Sequence, residues 1–180
     1  MSNQNVAVFD LTGRVALITG GGSGIGRGCA NILAEAGAAV VIVGRRIDKL
    51  KSVQEEIMKK NGKCAIFAAD LTNEEACKET VAFCVEQFGR LDIVVNSAGG
   101  RGVHGELEKE FLTENLNHTM SVDFNSAFFV IKYAYPECAK QGVGSIINIA
   151  SLAALSARGP IVYSAAKGAM KSMGKTLAKR

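Results

Sequence analysis

Apolar residues along this chain come in short runs that stop at glycine, alternating with longer stretches where they recur at helical spacing. The run RVALIT (14 to 19) is nearly unbroken, the pattern of a strand covered on both faces. From Ile25 to Ala36 the apolar positions fall at helical spacing, and Gly37 ends the pattern. AVVIV (39 to 43) predicts a second buried strand, and residues 46 to 60 an amphipathic helix closed by Asn-Gly. KCAIFAA (63 to 69) predicts a third strand, followed by a helix over 73 to 88 that ends at Gly89. LDIVVN (91 to 96) is the fourth strand, and a polar, glycine-containing stretch follows it. One long helix is expected from 112 to 140, with Pro136 near its end, then a fifth strand, GSIINIAS (144 to 151), and a last helix starting near 161.

Strict strand–helix alternation without repeat or linker predicts an α/β fold. It is a doubly wound, Rossmann-like parallel sheet with helices on both faces and right-handed crossovers. Residues 1 to 180 then form a single domain, and its ligands bind beyond the carboxyl ends of the strands.

Composition narrows the function classes. The 180 residues are 48% apolar and 21% charged, and the net charge of +4 is spread along the chain, so a solvated mixed surface is expected in place of a nucleic-acid face. Five cysteines form no CxxC pair, and they lie in segments that read as buried helix or strand. MSNQNVAVFD lacks the basic and apolar regions of a secretory signal, so reduced thiols in a cytoplasmic protein are expected. No apolar run reaches the ~18 residues of a membrane span. His104 and His118 have no partners at metal-ligand spacing, so no metal site is expected.

The 20 glycines gather where chemistry is expected. TGGGSGIG (19 to 26) follows the first strand and opens the first helix. It matches neither G-x-G-x-x-G nor the P-loop, because Arg27-Gly28 stands where Lys-Ser/Thr belongs. Its pattern is T-G-x-x-x-G-x-G. Glycines there let backbone approach a pyrophosphate, and the helix N-terminus offers free N–H groups. A tight turn without a ligand is the alternative. Dinucleotide folds often end strand two with an acid that holds the ribose 2′-OH. Here Gly44 takes that place, followed by Arg45 and Arg46. Arginine grips a 2′-phosphate that a carboxylate would repel, which favours NADP over NAD.

TGGGSGIG, NSAG (96 to 99), Ser151 and YSAAK (163 to 167) occur in the order and at the spacings of the short-chain dehydrogenase/reductase family, which this chain resembles over residues 10 to 180. The resemblance implies a cofactor held by Gly20, Gly22, Ser23, Gly24, Ile25 and Gly26 and by Arg45 and Arg46. It places Asp70 and Leu71, at the end of strand three, against the adenine, with Asn96, Ala98 and Gly99 lining the cofactor and holding strand four. The family more often has Asn at the position of Ser97.

Tyr163 and Lys167 stand at i and i+4, on one side of a helix. Reduction of a carbonyl needs an acid for the forming alkoxide; a free phenol titrates near ~10, and a fixed ammonium beside it favours the phenolate. The resemblance implies Tyr163 as general acid/base, Lys167 as its electrostatic partner and ribose anchor, and Ser151 as hydrogen-bond donor to the substrate oxygen. Asp123 occupies the fourth catalytic position, where the family usually carries Asn; Asn125, two residues on, faces another side of the helix. A carboxylate at 123 can keep the relay water's backbone carbonyl in place, and it can also pair with Lys167 and weaken the lysine's effect on Tyr163.

The function expected is NADP-preferring hydride transfer between NADP(H) and a small-molecule carbonyl or secondary alcohol. The alternatives are a dinucleotide-binding module without turnover, an inactive truncated fragment, and, on the same scaffold, enoyl reduction. Family members usually continue for tens of residues beyond MKSMGKTLAKR, so a C-terminally short domain and an uncovered fifth strand are expected. The resemblance also implies a homo-oligomer through the helices near 112–140 and 161–180, and SAFFVIKYAY is apolar around much of its circumference.

Overall fold

The computed structural model describes residues 9–103, 105–156 and 159–179; the extreme N-terminal stretch and His104 lie outside them. Five parallel strands, β1 (Val15–Thr19), β2 (Ala39–Gly44), β3 (Lys63–Ala68), β4 (Ile93–Asn96) and β5 (Ser145–Asn148), form one sheet in the order β3-β2-β1-β4-β5. This is the doubly wound parallel architecture that the alternation predicts. Among the described residues the α-helices are α1 (Gly24–Glu35), α2 (Ile47–Lys59), α3 (Glu74–Phe88), α4 (Leu107–Glu110), α5 (Thr113–Met120), α6 (Ser126–Ala139) and α7 (Ile161–Leu177).

Successive strand residues point to opposite faces, so each apolar run feeds two cores. Val15 and Leu17 of β1, Val41 and Val43 of β2 and Val94 of β4 pack with Cys77, Val81 and Cys84 of α3 and Val130, Ala134 and Cys138 of α6. Ala16, Ile18, Val40, Ile42 and Val95 pack on the other face with Ala30 and Ala34 of α1 and Leu50, Val53 and Ile57 of α2. Burial pushes the thiols of Cys77 and Cys84 up to about 12, as befits packed, unreactive sulfur. Cys29 and Cys64 are only half-buried, which corrects the expectation of five packed thiols.

β3 and β5 are the outer strands among the described residues, and both are half-exposed, β5 at the expected open edge. Two further expectations need revision. β3 stops at Ala68 and β5 at Asn148, so Asp70, Leu71 and Ser151 lie on loops just past the strands. The helix expected over 112–140 is α5 and α6 joined by a π-helical turn, Ser121–Asn125, with the separate α4 before it. A π turn inserts an extra residue per turn and re-aims the side chains within it. Here it buries Asp123 to 1% exposure.

The amino ends of β1 and β4 are pinned together, away from the carboxyl ends where ligands bind. Asp92, 3% exposed, accepts from Arg14 (2.9 Å), from Arg90 (2.6 and 2.8 Å) and from the Val15 N–H (3.0 Å). Burial pushes its carboxyl up, but the Arg90 and Arg14 guanidinia and the Val15 N–H outweigh that and hold it below the usual range. A carboxyl depressed by folding stabilises the fold above its unfolded value, near ~4, and that contribution fades as pH falls through the folded value. Asp92→Asn therefore costs about 3 kcal/mol at neutral pH. In urea titrations the gap to wild type should narrow below pH ~4, and a gap that stays constant there contradicts this account.

Candidate active site

The chain lays β1, β2 and β3 to one side, then crosses the sheet to add β4 and β5 on the other. The reversal leaves a crevice at the carboxyl ends of β1 and β4, where the glycine-rich turn meets the NSAG loop. Thr19, the last residue of β1, pins that loop: its Oγ1 accepts from the N–H groups of Ser97 and Ala98, both at 3.0 Å. Gly20 follows with φ +66°, and a Cβ there would stand 2.9 Å from the Ala98 nitrogen and the Ser97 oxygen, so only glycine fits. A Cβ at Gly26 would run into the Gly20 carbonyl. These two glycines let the turn close tightly on the first residues of α1.

A cleft of about 530 Å³ runs along these strand ends. Of the residues assigned to the cofactor from sequence, Gly20, Gly22, Ser23, Gly24, Ile25, Arg45, Arg46, Asp70, Leu71, Ala98, Gly99, Tyr163 and Lys167 line it. Gly26 is not among the lining residues and serves the turn's packing. Asn96 is also set back, 1% exposed, and donates to Asn148 Oδ1 at 2.9 Å, tying β4 to β5. Asp70 accepts from the Thr72 N–H and hydroxyl at 3.1 and 2.9 Å. The Thr72 N–H is the chief reason its carboxyl is held below the usual range, and Arg45 adds to it.

The cleft also holds residues that the sequence did not single out. Lys49, in the first turn of α2, joins Arg45 and Arg46 at one end, where Arg46 donates to Ser23 Oγ at 3.3 Å. Arg101 lines the other end, beside Tyr163.

At that end Tyr163 and Lys167 share one side of α7, and the ammonium lies 5.7 Å from the centre of the phenol ring. Lys167 is 4% exposed. Its Nζ lies 3.2 Å from Asp123 Oδ1 and donates to the Ile149 carbonyl at 3.3 Å. Asp123 Oδ1 also accepts from the Gly100 N–H at 2.9 Å. Of the two roles open to Asp123 in sequence, the geometry contains the pairing with Lys167. Ser151 caps a short 3-10 turn, Leu152–Ala154, by accepting from the Ala153 N–H at 3.2 Å. That bond uses an oxygen lone pair and leaves its O–H free to donate. Ser151 and Tyr163 together line a second cavity of about 590 Å³, so Tyr163 stands in the wall between the two spaces.

A family model described as short chain dehydrogenase matches residues 14–180. Over 174 residues the chain is 38% identical to a 2-dehydro-3-deoxy-D-gluconate 5-dehydrogenase of Bacillus subtilis (strain 168), an alignment covering 94% of this chain and 66% of that protein. An NAD+-bound xylitol dehydrogenase superposes with a TM-score of 0.88 at 28% identity, over 93% of this chain and 65% of that one. A 7 alpha-hydroxysteroid dehydrogenase in complex with NADH and 7-oxo glycochenodeoxycholic acid superposes with a TM-score of 0.87 at 30% identity, over 94% and 66%. The chain thus spans about two thirds of the length of each of these relatives. It belongs to the short chain dehydrogenase family, and its class of chemistry is that of an oxidoreductase moving hydride between a nicotinamide dinucleotide and a carbonyl or alcohol. Among the described residues, no helix is long and apolar enough to cross a membrane.

Proposed function

We propose that residues 1 to 180 form one dinucleotide-binding and catalytic domain, an NADP-preferring cytoplasmic oxidoreductase that interconverts a carbonyl and an alcohol. The observation that carries this reading is the position of Tyr163 in the wall of both cavities, with Lys167 buried beside it. The cleft suits a dinucleotide. Its glycine turn admits close backbone approach, since a Cβ at Gly24 would meet nothing within 4 Å. It also carries cations at the end of β2, where a ribose phosphate belongs.

A bound nicotinamide dinucleotide supplies the hydride for reduction and takes it in oxidation. In reduction, Ser151 Oγ–H donates to the substrate oxygen and fixes the carbonyl at the Tyr163 side of the wall. As the C–H bond forms and the carbonyl π pair moves to oxygen, the Tyr163 hydroxyl gives its proton to that oxygen and leaves a phenolate. Lys167 stabilises that phenolate by its charge. Its ammonium lies 3.2 Å from Asp123 Oδ1 and one of its N–H groups donates to the Ile149 carbonyl, which leaves a donor for a ribose hydroxyl. In oxidation the same atoms take the proton back.

The preference for NADP rests on Arg45, Arg46 and Lys49 around Ser23, and on the absence of a side chain at Gly44. A Cβ at Gly44 would have only Leu50 Cδ2 nearby, at 3.7 Å, so a side chain can start there without a clash at its first carbon. The exposed apolar residues Leu112, Leu116, Phe128 and Tyr135 support self-association through the face formed by α5 and α6.

One set of proteins tests the chemistry and the cofactor together. Wild type should bind NADP+ more tightly than NAD+, by about 1–3 kcal/mol. Gly44→Asp should narrow or invert that order in calorimetric titrations. Tyr163→Phe should keep the NADP+ affinity while losing nearly all NADPH consumption with a panel of ketones and aldehydes. Tighter NAD+ binding by wild type contradicts the preference. NADP+ binding without turnover by wild type leaves the non-catalytic module as the better reading. Light scattering at micromolar concentration should give a mass above one 18.9 kDa chain, and a single-chain mass counts against association.

A further inference from the structure

We propose that Arg101 selects the substrate: the second cavity takes an oxo acid, whose carboxylate is held by the Arg101 guanidinium while its carbonyl lies at Ser151 and Tyr163. This rests on the carbonyl–alcohol reading above and names the class of compound.

The argument begins with where the backbone fixes Arg101. On one side, the Gly100 N–H is bonded to the buried Asp123 at 2.9 Å. On the other, Gly102 has φ +69°, and a Cβ there would stand 3.0 Å from Tyr163 Cβ, so the loop lies directly on the tyrosine. A residue held between these two contacts is positioned from the same side chains that carry the chemistry. Arg101 is itself exposed and lines both the dinucleotide cleft and the second cavity.

The composition of the second cavity then decides the ligand. Its hydroxyls come from Ser151, Ser156 and Tyr163, and its apolar wall includes Leu152 and Leu155, 79% and 68% exposed. Arg101 is its one charged lining residue among those described, and no acid stands beside it in the lining. Neighbouring acids are engaged elsewhere: Asp123 by Lys167 and Gly100, and Glu110 by the Ile161 N–H at 2.8 Å. Among the described residues Arg101 forms no salt bridge. An arginine without an acid partner among the described residues, in the lining of a space otherwise of apolar and hydroxyl groups, matches the two oxygens and single charge of a carboxylate. The cations suited to the dinucleotide's phosphates, Arg45, Arg46 and Lys49, gather instead at the end of β2.

The test uses the full chain with NADPH and linear oxo acids of increasing carbonyl-to-carboxylate length, each paired with its uncharged methyl ester. For at least one length, wild type should favour acid over ester in kcat/KM by about tenfold or more. Arg101→Gln should bring that ratio close to one, Arg101→Lys should retain part of it, and Arg101→Glu should favour the ester. Because each ratio is taken within one protein, a partly unfolded variant does not distort it. A wild-type ratio near one for every length overturns the proposal, as does a ratio that survives Arg101→Gln. If no oxo compound is turned over, the reaction reading fails, and the Arg101 assignment is then judged by calorimetry alone. Glutarate should bind the NADP+-loaded chain about tenfold more tightly than it binds Arg101→Gln, and more tightly than glutaramide binds wild type. Equal glutarate affinities, or a loss confined to NADP+ binding, overturn it.

Discussion

The site depends on one buried ion pair, Lys167 with Asp123. Neither group has significant access to water, at 4% and 1% exposure, so each charge needs its partner and further hydrogen bonds to be tolerated. Those bonds come from four segments. Lys167 is on α7, Asp123 on the π turn, Gly100 on the loop after β4, and Ile149 just past β5. A Cβ at Gly99 would stand 2.7 Å from Asp123 Oδ1, which shows how closely the loop is drawn onto the carboxylate. Tyr163 lies one helical turn before Lys167, so the same pair that holds the segments together also sets the position of the phenol.

The sheet supplies the frame on which the pair acts. β1 registers Thr19 against both Val43 of β2 and Asn96 of β4, so the carboxyl ends of the central strands finish level. Thr19 then holds the NSAG loop, and Gly20 allows the turn to lie against it. At the opposite end of β1 and β4, Asp92 and its two arginines fix the strand pair by charge. The binding end combines a glycine turn, which leaves open space for a ligand, with the charged side chains of Arg45, Arg46, Lys49 and Lys167.

Much of this was legible in the sequence because strand and helix periods differ sharply, and each apolar run of β1, β2 and β4 was covered on both sides as its composition implied. Strand order is a tertiary property, so the half-exposure of β3 could not be read from its composition, whereas the open edge at β5 followed from the resemblance to longer chains. The π turn escaped because SVDFN is too short to reveal a change of period within a longer helical pattern. Tyr163, Lys167 and Ser151 were singled out by resemblance, and the fold places Tyr163 with Lys167 in the cleft and with Ser151 in the second cavity. Lys49 was hidden on the polar face of α2, where a lysine reads as solvated. Arg101 was hidden in a glycine-containing loop, where only the contacts of its neighbours show that it is fixed.

The most direct test of the ion pair as the organising contact is a double-mutant cycle in urea, with Asp123→Asn, Lys167→Met and the two combined. Each single change strands one buried charge and should cost about 3 kcal/mol. The combined variant removes both charges and should cost less than the sum of the two by at least about 1 kcal/mol. Losses that add to within about 0.5 kcal/mol would show that Lys167 and Asp123 act independently, and the account of how the four segments are held would be wrong.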